Sequence, residues 1–168
     1  MNPPRSTSPD DSVRFRHAVA GDLPALVGML ADDPLGALRE CVSDPLPPSY
    51  VAAFEAIEQD ANIELIVAER PQGEVVGMLQ LTFTPFITHQ GAWRAGIEGV
   101  RIARHMRRSG LGQKLMAWAI DRARKRHCHV IQLTTDKERH DALQFYAKLG
   151  FMATHEGLKL KLVPHPLD

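Results

Sequence analysis

Hydrophobic residues recur at helical spacing in the first third of the chain. Apolar positions that return every three or four residues predict helices over residues 23–30, 37–42 and 50–59. Asp22 and Ser49 precede the first and third of these segments and are predicted N-caps. Clusters rich in Pro and Asp separate the three helices.

From residue 64 onward the hydrophobic period changes to two, which is typical of strands. With a short alternating segment near the N-terminus, this period predicts strands over residues 13–17, 64–69, 75–83, 92–102 and 130–134. Helices are predicted over residues 113–126 and 141–149. A last hairpin is predicted from residues 151–154 and 158–163. Hairpins mixed with strand–helix–strand units predict an α/β fold whose central sheet is mixed and mostly antiparallel, with helices on both faces.

The length of the chain predicts one domain. Its 168 residues are 44% hydrophobic, which is enough to bury a substantial core. We assign residues 13–163 to this domain and residues 164–168 to a tail. Residues 1–12 are rich in Pro, Ser and Asp and lack an apolar signal-peptide core, so we expect them to be a disordered leader.

Charge and cysteine content narrow the class of function. Twenty basic and 20 acidic residues cancel, which argues against a general nucleic-acid or membrane-surface binder. No apolar run approaches the roughly 20 residues that a membrane span needs. Cys41 and Cys128 are too few for a disulfide framework and predict a cytoplasmic protein. His127 and His129 have no second pair of ligands beside them, so no metal site is predicted.

The most informative motif lies between the strand 92–102 and the helix 113–126. It reads Arg107-Arg108-Ser109-Gly110-Leu111-Gly112 and is called the glycine turn below. Two glycines at a strand-to-helix turn let the backbone approach a ligand closely, and the N–H groups of the following helix favour a phosphate or pyrophosphate there. A P-loop is excluded, because Gln113 stands where that motif has Lys. A dinucleotide-binding turn remains an alternative, although Leu115 replaces its third glycine.

Two motifs together resemble one family. The glycine turn matches the Arg/Gln-x-x-Gly-x-Gly/Ala loop of the GCN5-related N-acetyltransferases. About thirty residues downstream, Ala142-Leu143-Gln144-Phe145-Tyr146-Ala147-Lys148-Leu149-Gly150-Phe151 is similar to that family's Ala-x-x-Phe-Tyr-x-x-x-Gly-Phe signature. The order of strands and helices agrees as well, so the resemblance covers nearly the whole chain. One position departs: Arg139 stands where the family often has Asn, so a usual contact to the cofactor arm is missing or remade.

The resemblance implies a site for acetyl-CoA as cosubstrate. Its loop would wrap the pyrophosphate, and the preceding strand would pair with the pantetheine arm. The implied cofactor-binding residues are Val100, Arg101, Ile102, Arg107, Arg108, Ser109, Gly110, Leu111, Gly112 and Gln113. A splay between this strand and the strand 130–134 would open the cleft.

Two side chains are candidates for the chemistry of amide formation. Glu98 precedes the glycine turn on the same strand and shares parity with Val100 and Ile102. A carboxylate on that apolar stripe would be partly buried, so we predict Glu98 as the general base, acting directly or through water. The alternative is an ion pair with Arg94 or Arg101. The motif implies Tyr146 as the general acid for the departing thiolate, with an amphipathic core tyrosine as the alternative.

The acceptor site is expected in the segments that carry no motif. These are residues 30–49, where Asp32 and Asp33 either attract a cationic amine or end a helix, and residues 86–94, where Phe86, His89 and Trp93 either line a pocket or pack. The predicted activity is acetyl transfer from acetyl-CoA to a primary amine, of a small molecule rather than a protein. A homodimer is compatible with the exposed sheet edges. The alternative is an acyl-CoA-binding sensor or interaction module without turnover.

Overall fold

A five-stranded sheet organises the chain. The computed structural model describes residues 13–160 and residue 162, so the predicted leader and tail lie outside the described part. The strands are β1 (Arg14–His17), β2 (Ile63–Glu69), β3 (Val75–Pro85), β4 (Trp93–Ile102) and β5 (Cys128–Leu133). They lie in the order β1-β2-β3-β4-β5, and all neighbours are antiparallel except β4 and β5. The predicted mixed, mostly antiparallel sheet is therefore confirmed.

The helices are α1 (Leu23–Ala31), α2 (Pro34–Ala37), α3 (Pro48–Gln59), α4 (Thr88–Gly91), α5 (Leu111–Lys125) and α6 (His140–Lys148). In the described part of the chain, no helix has the length and apolar content to cross a bilayer.

The sheet is apolar on both faces, and each face carries helices. On one face Leu115 and Met116 of α5 pack with Ile66 of β2 in the largest cluster of buried residues. On the other face Leu26 of α1 and Phe54 of α3 belong to a second buried cluster. Successive residues of β2 serve opposite faces, which explains why that strand is a continuous apolar run.

Two of the early helices begin differently from the prediction. The helix expected over residues 37–42 is one turn earlier, since the Asp33 carboxylate accepts a hydrogen bond from the Gly36 N–H (2.6 Å) and caps α2. Ser49 is not an N-cap, because α3 already begins at Pro48, a residue suited to the first helical position. Asp22 does not cap α1 with its side chain, which instead pairs with Arg16.

The predicted last hairpin is wrong over the part that is described. Residues 151–160 form no strand, and the side chains of Leu158 and Leu160 are almost fully exposed. An alternating pattern becomes a strand only where a neighbouring strand supplies hydrogen bonds, and no pairing of this segment with β5 is seen among the described residues.

Candidate active site

The glycine turn has the backbone shape that the motif predicts. Gly110 has φ of 92° and Arg108 has φ of 65°, both in the left-handed region. The Ser109 hydroxyl donates to the Met106 carbonyl (2.7 Å) and accepts from the Leu111 N–H (3.3 Å). Gly110 supplies no side-chain cap to α5, so the N-terminal N–H groups of this 15-residue helix are suited to a phosphate.

The arginines around the turn are held by one carboxylate. Asp32 Oδ2 lies 2.8 Å from Arg107 Nη2, and Asp32 Oδ1 lies 2.5 Å from Arg104 Nη2. Hydrogen bonds from Arg104 hold the pKa of Asp32 below its ordinary value. Arg108 is exposed and makes no ion pair within the described residues. Asp32 therefore anchors the α1–α2 connection to the glycine turn.

The strands β4 and β5 separate midway along their length. Their parallel pairing runs from Trp93 opposite Cys128 to Ile97 opposite Leu133 and ends there. Residues 98–102 of β4 have no strand partner on that side in the described part of the chain. Their backbone is thus open toward α6, as the predicted pairing with an extended cofactor arm requires.

A bulge in β4 changes the direction of Glu98. Arg101 lies opposite Met78 and Glu98 opposite Gln80, so the two β4 residues between them face one residue of β3. The extra residue is Gly99, with φ of 60°. Glu98 consequently shares a face with Arg101 and not with Val100 and Ile102, which corrects the parity that the sequence predicts.

The surroundings of Glu98 differ from the prediction as well. Its side chain is exposed, whereas partial burial on an apolar stripe was expected. No ion pair joins it to Arg94 or Arg101 among the described residues. A free carboxylate beside a cavity keeps the geometry that a general base needs.

Glu98 and Tyr146 line one cavity of about 370 Å³. Tyr146 packs edge-to-face on Phe145 and Phe151, at ring-centroid distances of 5.3 and 5.9 Å. Burial raises the pKa of the Tyr146 phenol above its ordinary value, although Arg139 and Arg101 act in the opposite direction. The phenol is therefore protonated at neutral pH and able to donate a proton.

The first acceptor segment borders this cavity and the second does not. Leu30, Asp33, Leu35 and Arg39 contribute to the lining. In the other segment, the Arg94 guanidinium lies over the Phe86 ring (4.2 Å).

The remaining aromatic residues of the second segment also have partners elsewhere. His89 stacks on His129, with 5.3 Å between the ring centroids. Trp93 packs against the core cluster beside α5. Within the described residues, no group of three or more His, Cys, Asp or Glu side chains is arranged as metal ligands.

Sequence reasoning missed the cations of the cavity. Arg39, Arg139 and Lys159 line it, and none was predicted as a site residue. In the sequence, Arg139 was noted only because it stands where the family often has Asn. Arg101 was expected to bind through its backbone, while its side chain also enters the cavity. The bulge at Gly99 turns the Arg101 side chain toward the cavity. In the sequence, a single glycine within a strand is the only sign of this bulge.

Comparison with known families agrees with this geometry. The model of the Acetyltransferase (GNAT) family matches residues 31–151, which include the glycine turn, Glu98 and Tyr146.

Three proteins illustrate the similarity. An aminoalkylphosphonate N-acetyltransferase of Salmonella typhimurium is 34% identical over 102 residues, covering 61% of this chain and 65% of that protein, so the chain spans just under two thirds of its length. A glucosamine 6-phosphate N-acetyltransferase of Trypanosoma brucei brucei is 30% identical over 129 residues, covering 76% and 84%. A solved structure named as a transcriptional regulator from Bacillus halodurans is 58% identical, with a TM-score of 0.86 and coverage of 89% and 99%.

Proposed function

Since the chain belongs to the Acetyltransferase (GNAT) family, we propose that it transfers an acetyl group from acetyl-CoA to the primary amine of a small molecule. The match confirms the predicted family, and the predicted class of enzyme agrees with the names of both curated relatives. Both relatives are named for small amines, which supports a small acceptor over a protein lysine. The two cysteines are free thiols, which supports the cytoplasm as the compartment.

The residues present fit acetyl-CoA at two places. The start of α5, where among the described residues the Ser109 hydroxyl accepts only from the Leu111 N–H, and the left-handed Gly110 suit a pyrophosphate. The unpaired edge of β4 offers backbone groups to the amide-bearing arm. Arg108, which is exposed beside the turn, is the side chain best suited to add charge to the same anion. When bound, acetyl-CoA supplies the activated acyl carbon and a thiol leaving group.

Two side chains then accept and donate the protons of the reaction. The acceptor amine arrives as an ammonium, and Glu98 removes a proton from it directly or through one water. The freed nitrogen forms a C–N bond as the C–S bond breaks, and Tyr146 donates its phenolic proton to the departing sulfur. The nitrogen loses its second proton to solvent, Glu98 releases the proton that it accepted, and Tyr146 takes one proton back from solvent. One proton is released in each turnover.

The observation that carries this proposal is the shared cavity of Glu98 and Tyr146. It is bordered by residues 97–101 of β4 and by residues 133–136, which end β5 and follow it, next to the point where the two strands separate. Its volume of about 370 Å³ is suited to a small molecule. A carboxylate and a protonated phenol on one cavity beside an open strand edge are the groups that acyl transfer to an amine requires.

A second candidate is a regulatory module that binds acyl-CoA without turnover. The observation that favours it is the name of the 58% identical structure, a transcriptional regulator. Such a module has no need for an acid and a base on one cavity, so turnover separates the two functions.

The test is thiol release from acetyl-CoA in the presence of a panel of small primary amines. Tyr146→Phe is expected to lower kcat about 100-fold and to leave the Kd of CoA within about twofold, because only the proton donor is lost. Glu98→Gln is expected to lower kcat about 10-fold or more.

The other tyrosine of the chain offers a matched control. The Tyr50 hydroxyl donates to Glu40 (2.9 Å) and accepts from the Cys41 N–H (3.1 Å), away from the cavity. Tyr50→Phe should keep the wild-type kcat. Unchanged turnover in Tyr146→Phe would contradict the acid assignment. CoA binding without thiol release for any amine would favour the regulatory module.

A further inference from the structure

Three guanidinium groups surround one carboxylate at the wall of the cavity. Asp33 Oδ2 lies 3.4 Å from Arg101 Nη2 and 3.8 Å from Arg139 Nη2. Arg39 also acts electrostatically on the Asp33 carboxyl. Asp33 and these three residues, called the arginine cluster below, all line the cavity. Arg39 is paired with Glu40 (Nε–Oε1 3.1 Å), so Arg101 and Arg139 share the one carboxylate of Asp33 and leave an excess of positive charge.

Arg101 is the least satisfied member of the arginine cluster. Its side chain is 12% exposed, and its Nε has no hydrogen-bond partner. Its Nη1 donates to the Val100 carbonyl (2.9 Å). Burial lowers the pKa of this guanidinium, Asp33 opposes that change, and Arg139 and Arg39 add to it. A buried guanidinium with an unused donor is costly unless an anion binds there.

Other arginines of the chain show what structural pairing looks like. Arg16 lies 2.7 Å from Asp22 and 2.8 Å from Glu69, so two carboxylates serve one guanidinium. Arg122 donates to both oxygens of Glu64. Arg101 has neither arrangement. Its contacts therefore indicate a site for a ligand rather than an ion pair that stabilises the fold.

The distribution of charge separates two anion sites. Asp32 holds Arg104 and Arg107 beside the glycine turn, where the backbone is suited to a pyrophosphate. The arginine cluster lies in the cavity that holds Glu98 and Tyr146. It is thus placed to act on the acceptor.

The spacing suits a short amine. The β3 partners of Glu98 and Arg101 are two residues apart, which corresponds to about 7 Å along the strand. Because of the bulge at Gly99, both side chains are on one face, so a single small molecule can reach both. We propose, resting on the function proposed above, that the arginine cluster binds a phosphorus oxoanion, a phosphonate or phosphate ester, carried by the acceptor amine.

The choice of a phosphorus oxoanion follows from geometry and charge. A tetrahedral dianion presents three oxygens that can accept from more than one guanidinium, and the excess positive charge around Asp33 attracts it more strongly than it attracts a monoanion. A carboxylate presents two coplanar oxygens and one charge. A sulfonate has the same tetrahedral shape but only one negative charge. Comparing it with a phosphonate therefore separates the effect of shape from the effect of charge.

The experiment compares amines with nearly the same spacer. The probes are 2-aminoethylphosphonate, O-phosphoethanolamine, taurine, β-alanine and propylamine, each with saturating acetyl-CoA. The KM for the two phosphorus compounds is expected to be at least about 10-fold lower than that for propylamine. Arg139→Met should raise the KM for 2-aminoethylphosphonate by about 10- to 100-fold and leave kcat and the KM for propylamine within about twofold. Arg101→Met should raise the ratio of the KM for 2-aminoethylphosphonate to that for propylamine by a similar factor.

Three controls keep the outcome interpretable. Arg124→Met removes an exposed arginine of α5 and should change nothing. Arg101→Lys should recover part of the loss, because it restores the charge without the fork of donors. Thermal unfolding with CoA should give the wild-type shift in every variant. An equal rise of KM for 2-aminoethylphosphonate and propylamine, an unchanged KM for both, or a loss of CoA affinity with intact acceptor kinetics would each overturn the proposal.

Binding of methylphosphonate, which has no amine, separates this inference from the proposed function. If the wild-type chain acetylates no probe, the acetyl-transfer function fails. Calorimetric binding of methylphosphonate that is lost in Arg101→Met and kept in Arg124→Met would still support the oxoanion site. Equal binding by the wild type and Arg101→Met, or no binding to either, would contradict it.

Discussion

The glycine turn and the arginine cluster are both suited to anions, but the chain builds them in different ways. The turn consists of six consecutive residues and offers mainly backbone N–H groups at the start of α5. The cluster brings together side chains from the α1–α2 region, from β4 and from the start of α6. The first is fixed by local backbone conformation and the second by the packing of distant segments. A motif therefore predicts the first, whereas the second becomes visible only when the sheet and helices are assembled.

The largest effect is expected from a substitution that disrupts the glycine turn and leaves the arginine cluster unchanged. Gly110→Glu introduces a charged side chain at φ of 92°, where it blocks and repels a phosphate. We expect the Kd of CoA to rise by at least about 100-fold in a calorimetric titration, with methylphosphonate binding unchanged.

Gly73→Glu is a matched control for this change. Gly73 has φ of 85° in the turn between β2 and β3, and a Cβ there meets no atom within 4 Å. It carries the same conformational strain without the phosphate site. Equal loss of CoA affinity in both variants, or retention in Gly110→Glu, would mean that the turn does not bind the cosubstrate.

A smaller effect tests the bulge on which the arginine cluster depends. Gly99 has φ of 60°, and a Cβ there would meet no atom closer than 3.9 Å, so Ala at this position is strained but not crowded. Gly99→Ala should lower the free energy of unfolding by about 1–2 kcal/mol. It should also raise the KM for a phosphonate-bearing amine, since the directions of Glu98 and Arg101 both depend on the bulge.

Gly28→Ala gives the opposite expectation. Gly28 lies inside α1 with open space around its Cβ position, so alanine should raise the free energy of unfolding by about 0.5–1 kcal/mol. Urea unfolding measures both changes. A stabilising Gly99→Ala would contradict the left-handed conformation at the bulge.

The smallest effect concerns an ion-pair network that serves the fold alone. Hydrogen bonds from Arg16 and Arg14 lower the pKa of Glu69 from 4.5 to about 2. This carboxylate is ionised more readily in the folded chain than in the unfolded one. It therefore contributes stability above pH 4.5, and that contribution is lost as the pH falls toward 2.

Urea midpoints measured from pH 6 to pH 2 check this expectation. Glu69→Gln should flatten the decline between pH 4.5 and 2, while kcat at pH 7 stays within about twofold of the wild type. If the urea midpoint falls equally steeply in the variant and the wild type, Glu69 does not cause the loss of stability at low pH. The contrast with Arg101 distinguishes arginines paired for stability from arginines available to a ligand.

The sequence predicted much of the fold, because the hydrophobic period of each strand survives in the structure. β2, β3 and β4 begin and end within two residues of their predicted bounds, and α5 begins at Leu111, two residues before its predicted start. The bounds of the early helices were harder to predict, because the start of α2 depends on the Asp33 cap and not on apolar spacing. The last hairpin failed because alternation alone supplies no partner strand.

The candidate site was likewise predicted only in part. Tyr146 and the glycine turn were predicted from motifs and Glu98 from its place on the strand, and the structure brings Glu98 and Tyr146 to one cavity. The face on which Glu98 lies was wrong, because a one-residue bulge reverses parity along a strand. Arg39 and Arg139 carried no signal of their own, since only tertiary packing brings them to Asp33.

Thermal unfolding of the purified protein with CoA, acetyl-CoA, NADH and ATP in parallel tests the central claim most directly. A ligand at about 100 times its Kd adds about 2.7 kcal/mol, which corresponds to a rise in Tm of about 5–10 °C for a chain of this size. We expect this rise with CoA and acetyl-CoA, and its loss in Gly110→Glu. A rise with NADH alone, or no rise with any of the four ligands, would contradict it.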